Sequence, residues 1–386
     1  MSQNTTTRMR ELLPDDVVED ILGHLPVKSL TRFRCVSKSC DSIITDPTFI
    51  TKHLKLNLKQ SESLKSTKTH SGYLLYTTKD KNSSSSSSKQ LCTAVCNNDR
   101  TLTQVSRFEI PSFFDECNIV ACCNGLFCMA DYGLSHIIYL WNPSIRMFKK
   151  LLATPTPDED ARSVFGLAYN SQNNDFKVLR LVSVFYLEEA KAEIYSLSTD
   201  SWRTVVISME SLRGYEPNFG TTMFKWMEPP CLFLNGALHT VAITSRHRFI
   251  LSFDVNDESF REIMLPPNGP NHLDVVTVNL AVFKGSLAVF VFVQLRQGIL
   301  CQIWVMEEYG VTESWTRKYM VPMIWDWVDY FFGCTDNGEL LIKNDTGPVS
   351  IDPESQNQNI LAIEDADWMG FTANSMESLI LLDGGK

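Results

Sequence analysis

The feature that most constrains this fold is a repeat of a little over fifty residues running through most of the chain. Each unit has an apolar strand bearing an aromatic, a polar turn, and a strand opening on another aromatic. The instances are Tyr139-Leu140-Trp141-Asn142-Pro143 with Met147-Phe148, Ile194-Tyr195-Ser196-Leu197 with Ser201-Trp202, Leu251-Ser252-Phe253-Asp254 with Ser259-Phe260, and Ile303-Trp304-Val305-Met306 with Ser314-Trp315. The opening aromatics lie 54, 58 and 55 residues apart. Val349 to Pro353 with Ile360 forms a weaker fifth. Apolar hairpins alternate with these units and turn at Asn124-Gly125, Asn235-Gly236, Lys284-Gly285 and Asn337-Gly338. Such dipeptides tolerate the positive φ that a tight hairpin turn demands.

Four strands per fifty-odd residues is the period of a kelch-like β-propeller blade. Five units run from about 119 to 363. Strands near Tyr73–Thr78, Leu91–Val95 and Gln104–Ile110 supply most of a sixth, and Ser378–Leu382 is the expected closing strand. Closure removes exposed sheet edges. The regular period disfavours a large β-sandwich, and the diglycine of true kelch repeats is absent. The aromatics Trp141, Tyr195, Trp202, Phe253, Trp304 and Trp315 are expected between blades.

The start of the chain has another period. Pro14 suits a first helical turn, and Asp15, Asp16, Glu19 and Asp20 favour the positive end of that helix. Val17, Val18, Ile21, Leu22 and Leu25 recur at helical spacing, and Pro26 stops the helix. Leu30, Phe33 and Val36 mark a second short helix, with Ser29 as its expected cap. Ile43, Ile44, Phe49, Ile50 and Leu54 continue the pattern. A piece this small cannot bury so many apolar side chains alone, so it packs on the rest of the chain or on a partner. The fold class is therefore α+β multidomain: a small N-terminal helical module, then an all-β kelch-like propeller of about six blades. The expected boundaries are a flexible N-terminus at 1–11, the helical module at 12–56, a linker at 57–71 and the β domain at 72–386. Ser83 to Ser88 reads as a loop.

Composition excludes several functions. Residues 1–70 carry a net charge of +3 and residues 71–386 a net of −13. An acidic large domain argues against nucleic acid and suits a basic protein partner. The run from Val278 to Leu295 is broken by Lys284-Gly285 and reads as a hairpin, not a membrane span. With no apolar leader, the expected location is cytoplasmic or nuclear. The eleven cysteines show no zinc spacing and read as reduced thiols.

Leu-Pro opening the first helix, Ile-Leu and Leu-Pro closing it, then Ser-Leu, Arg-Phe and Cys-Val-Ser-Lys-Ser closely resemble an F-box. Plant members usually carry Trp where this chain has Cys40. The motifs Tyr-Ser-Leu-Ser-Thr-Asp-Ser-Trp-Arg, Phe-Leu-Asn-Gly-Ala-Leu-His, Ile-Leu-Ser-Phe-Asp and Ile-Trp-Val-Met-Glu-Glu-Tyr-Gly-Val-Thr-Glu-Ser-Trp resemble the plant F-box-associated interaction domain, whose relatives include the S-locus F-box group. The resemblance implies a substrate-recognition subunit of a Skp-cullin-F-box ubiquitin ligase. It would bind a Skp-type adaptor, and through it a cullin, by Leu13, Pro14, Val18, Ile21, Leu22, Leu25, Pro26, Leu30, Phe33 and Val36.

For chemistry the chain offers little. It has no nucleophile elbow, phosphate loop, dinucleotide fingerprint or zinc-protease motif. His239 is expected to be a structural hydrogen-bonding residue, and the carboxylate pairs Glu188-Glu189, Glu307-Glu308 and Asp365/Asp367 fall in loops or strand ends. No metal or cofactor is expected. The alternatives are a propeller hydrolase with structural helices, or an adaptor-bound protein that sequesters its partner.

Overall fold

A computed structural model describes residues 13–65, 72–78, 89–96, 102–109, 117–130, 136–155, 161–184, 189–207, 224–244, 247–267, 275–296, 298–323, 330–335, 337–344, 347–360, 372–374 and 377–381. Side chains are described except at 61–65, 72–109, 372–374 and a few strand ends. Four helices lead: α1 (Asp15–Gly23), α2 (Val27–Phe33), α3 (Lys38–Thr45) and α4 (Pro47–Lys65). Pro14 and Pro26 sit at the N-caps of α1 and α2. Ser29 lies inside the first turn of α2 rather than capping it, because the proline already fixes the extended entry. Ser37 caps α3 by accepting from the Cys40 amide. Helix α4 runs to Lys65, so the first half of the expected linker is helical.

The strands follow in chain order: β1 (Gly72–Thr78), β2 (Lys89–Cys96), β3 (Leu102–Glu109), β4 (Asn118–Cys123), β5 (Leu126–Ala130), β6 (Ile137–Asn142), β7 (Met147–Leu152), β8 (Ala161–Asn170), β9 (Asp175–Val184), β10 (Glu189–Ser196), β11 (Ser201–Val205), β12 (Phe224–Leu234), β13 (Ala237–Thr244), β14 (Arg248–Asp254), β15 (Ser259–Met264), β16 (Val275–Phe283), β17 (Ser286–Gln294), β18 (Ile299–Met306), β19 (Trp315–Met323), β20 (Tyr330–Cys334), β21 (Leu340–Asn344), β22 (Gly347–Ile351), β23 (Gln358–Ile360) and β24 (Thr372–Asn374). Every sheet has four antiparallel strands. Five are simple meanders, from β4–β7 to β20–β23, and in these five the side chains are described for the most part. In the remaining sheet, ordered β24-β1-β2-β3, only backbone pairing is described. Consecutive meanders stack face to face: apolar clusters join β4–β7 to β8–β11, that sheet to β12–β15, and so on to β20–β23. This stacking is a β-propeller.

The aromatic period has a direct structural cause. Trp141 lies opposite Phe148, Tyr195 opposite Trp202, Phe253 opposite Phe260 and Met306 opposite Trp315, each across the third and fourth strands of its sheet. Such cross-strand pairs stabilise a hairpin beyond simple burial. The Tyr195 and Trp202 rings are 5.4 Å apart, and those of Phe253 and Phe260 4.8 Å. Trp141, Tyr195, Phe253, Trp304 and Trp315 are buried and Trp202 is half-buried. Trp315 also donates from Nε1 to the Met264 carbonyl of the neighbouring sheet, at 2.9 Å. Three of the four expected dipeptide turns have positive φ at both residues. In the fourth only Gly338 does, because the connection from Thr335 to Glu339 is five residues long.

One expectation is overturned. The strand that pairs with β1 is β24, in which Ala373 faces Leu74. Ser378–Leu382 is not that strand: Ser378 to Leu381 forms none, and Leu381 has a φ of 75°. Leu379 and Leu381 are buried, and Ile380 half-buried, between the helical module and the β4–β7 sheet instead.

Sheet stacking is close enough to test. A Cβ added at Gly166 on β8 would come within 2.8 Å of Cys231 Sγ and 2.9 Å of Leu238 Cδ1, both on the next sheet. Gly166→Ala should therefore destabilise the β domain by about 1–3 kcal/mol, read by urea unfolding of the full chain. An unchanged midpoint would contradict the described packing.

Candidate interaction surface on the helical module

Helix α1 presents two apolar faces. Inward, Leu22 joins Val27, Leu30, Ile44, Phe49 and Ile50 in a buried core, with Val18, Leu25, Cys40 and Ile43 packed around it. Cys40 thus fills a partly buried position beside that core. His53, on α4, is 1 % exposed and contacts the Leu25 carbonyl through Nε2 at 3.1 Å, tying α4 to the α1–α2 turn. Burial holds its pKa below the usual histidine value, with the Leu25 hydrogen bond and Glu377 acting against that shift. Lys52 bridges to Glu19 and Arg34 to Asp41 on the exposed side, where such pairs contribute little.

Outward, Leu13, Val17 and Ile21 recur every four residues and are 59 %, 40 % and 51 % exposed. Phe33 and Val36, at the end of α2 and just beyond it, are 40 % and 70 % exposed. An apolar row that no described residue covers marks an interaction surface. Of the residues expected at an adaptor contact, Leu13, Ile21, Phe33 and Val36 are on this surface, and Pro14 and Pro26 are exposed beside it. Val18 and Leu25 are half-buried. Leu22 and Leu30 are interior, 3 % and 0 % exposed, so they hold the helices together rather than meet a partner. Val17 was missing from the expected set, although its spacing from Leu13 and Ile21 carries the signal.

Residues 74–375 match the F-box associated beta propeller domain, and residues 11–52 match the F-box domain. This chain belongs to the F-box proteins with an F-box associated β-propeller. Its relatives include an F-box/kelch-repeat protein of Arabidopsis thaliana, 30 % identical over 82 % of this chain and 81 % of the relative. The F-box protein CPR1 of the same plant is 25 % identical over 96 % of this chain and 89 % of the relative. Among solved structures, the β-propeller domain of the trilobed protease from Pyrococcus furiosus is similar at 10 % identity and a TM-score of 0.38, covering 76 % of this chain and 94 % of that one.

The propeller of this F-box protein places its titratable groups in structural settings. His239 is fully buried. Its Nδ1 lies 3.2 Å from the Leu232 carbonyl, and its Nε2 lies 2.7 Å from the hydroxyl of Tyr309, in the β18–β19 connection of the next blade. Burial lowers its pKa to about 4. Glu307 pairs with Lys318. Glu188 and the Asp365/Asp367 pair lie outside the described residues. Burial pushes the Cys231 thiol up to about 12, and Cys123, Cys128 and Cys301 are raised by the same cause. Among the described residues no cluster of three ligating side chains could hold a metal, and no helix is long and apolar enough to cross a membrane.

His239 gives a pH test. Its folded pKa lies below its unfolded one, so the unfolded state binds the extra proton and stability falls as pH drops through 6.5 toward 4. Between pH 7 and pH 5 the wild type should lose about 2 kcal/mol more than His239→Gln. Parallel urea unfolding curves at both pH values check this, and equal losses would contradict it.

Proposed function

We propose that this F-box protein is a non-catalytic substrate receptor of a Skp-cullin-F-box ubiquitin ligase. The observation that carries the proposal is the row Leu13, Val17 and Ile21, an apolar helix face that no described residue covers, beside a packed core. A Skp-type adaptor would cover that row together with Phe33 and Val36, and through the adaptor the chain would reach a cullin. The propeller would hold a protein substrate near the ubiquitin-carrying enzyme, so that ubiquitination follows from raised effective concentration. Family membership supports the reading.

The finer architecture belongs to the same proposal. The sheet β24-β1-β2-β3 would complete a ring of six blades, joined by pairing the two ends of the β domain. Tight turns such as Asn124-Gly125 and the β6–β7 turn share one end of the sheets, and Ile145 of the latter packs against the helices. The substrate would therefore meet the opposite end. The net charge of −13 over residues 71–386 favours a basic partner. Location in cytoplasm or nucleus goes with such a complex.

Ile21→Asp tests the adaptor contact. An unpaired carboxylate at a buried interface should weaken adaptor binding by at least roughly a hundredfold, while thermal unfolding of the free chain stays unchanged. Leu22→Asp should instead unfold the helices. Undiminished co-purification of the Ile21→Asp chain with a recombinant Skp-type adaptor would refute the assignment.

A further inference from the structure

The C-terminal segment Glu377 to Leu381 contributes to both modules. Leu379, 1 % exposed, belongs to the core of the F-box helices, with Leu22, Val27, Leu30 and Phe49. Leu381 belongs to the core shared by β4–β7 and β8–β11, which also takes in Leu54 of α4. Ile380 and Ile145 pack against both clusters. The Glu377 side chain accepts from the Val27 amide at 2.9 Å. Val27 opens α2, whose proline N-cap offers no side-chain acceptor, so the acceptor comes from 350 residues away in sequence. Asn57 of α4 donates to the Glu377 carbonyl at 3.3 Å.

Besides this apolar packing, a polar side chain of the propeller holds the segment. Asn142, fully buried at the end of β6, donates from Nδ2 to the carbonyls of Ser378 and Ile380, at 2.9 and 2.8 Å. Its Oδ1 accepts from the Ser144 amide and shapes the β6–β7 turn. Asp254 and Asp352 shape the corresponding turns of two other blades through the same oxygen, accepting from Asn256 and Glu354. An aspartate therefore suffices for the turn. Of these two side chains, only asparagine can also donate to both carbonyls of the segment.

We propose that Glu377–Leu381 is a working part of the adaptor-binding module, a docked strap that positions α2 and completes the core beneath the adaptor-facing surface. The adaptor then binds well only when this segment is intact and seated on the propeller. This inference rests on the receptor reading above. Asn142 and Glu377 are positioning residues, since neither is part of the apolar row itself.

Four variants of the full-length chain separate the possibilities: Asn142→Asp, Glu377→Ala, Glu377→Gln and a chain ending at Met376. Two quantities are read for each, amide exchange in α2 without adaptor and affinity for a recombinant Skp-type adaptor by biolayer interferometry. Asn142→Asp, Glu377→Ala and the shortened chain should show faster exchange across α2 and adaptor binding weaker by about tenfold or more. Glu377→Gln keeps an acceptor oxygen and should stay within about threefold of wild type. If the shortened chain fails to fold, Asn142→Asp decides, because it preserves the turn. Unchanged α2 exchange and affinity in Asn142→Asp and Glu377→Ala would overturn the proposal. A wild-type chain that ignores the adaptor would instead refute the receptor reading, and the exchange data would still judge the strap.

Discussion

Much of this molecule's geometry depends on one buried amide. Asn142 holds its own turn with its oxygen and two carbonyls of a distant segment with its nitrogen. Without those donors, the carbonyls of Ser378 and Ile380 would be left in an apolar seam between modules, where an unmet hydrogen bond costs more than a met one gains. The held segment then sets Leu379 into the helical core and Glu377 against the first turn of α2. The left-handed backbone at Leu381 fits this account, since such a conformation persists where surroundings over-determine it.

The helices and the blades are thus joined by more than a covalent linker. Helix α4 inserts Leu54 into the first described inter-blade core, Ile145 of the β6–β7 turn reaches the helices, and the strap lies between. The strap begins three residues after β24, which pairs with β1. In the proposed receptor role, a stiff joint would hold the target at a fixed place relative to the enzyme that modifies it.

Much of this was legible in the sequence, for reasons that can be traced to particular residues. The aromatic period was visible because each pair, such as Tyr195 and Trp202, sits across one hairpin and is close in sequence. The Asn-Gly turns were visible because their backbone demands those residues. The two stripes of α1 were present in the spacing, but spacing alone does not say which stripe faces out. Spacing alone therefore groups Leu22 and Leu30 with Ile21 and leaves Val17 out. The strap was misread because Ser-Leu-Ile-Leu-Leu has the composition of a core strand. Leu379 and Leu381 are buried because they lie between two modules, and the segment's partners Val27, Asn57 and Asn142 are too distant in sequence for any local pattern to reveal.

The central claim is that helices and propeller form one stiff unit held by the strap. It is tested most directly by a distance distribution between spin labels carried on unnatural amino acids at Ser42 on α3 and Thr316 on β19, both exposed positions. Pulsed electron paramagnetic resonance on the free full-length chain should give a single narrow distribution. The same pair in the Asn142→Asp chain should give a broad one. A broad or bimodal distribution in the wild type would contradict the account.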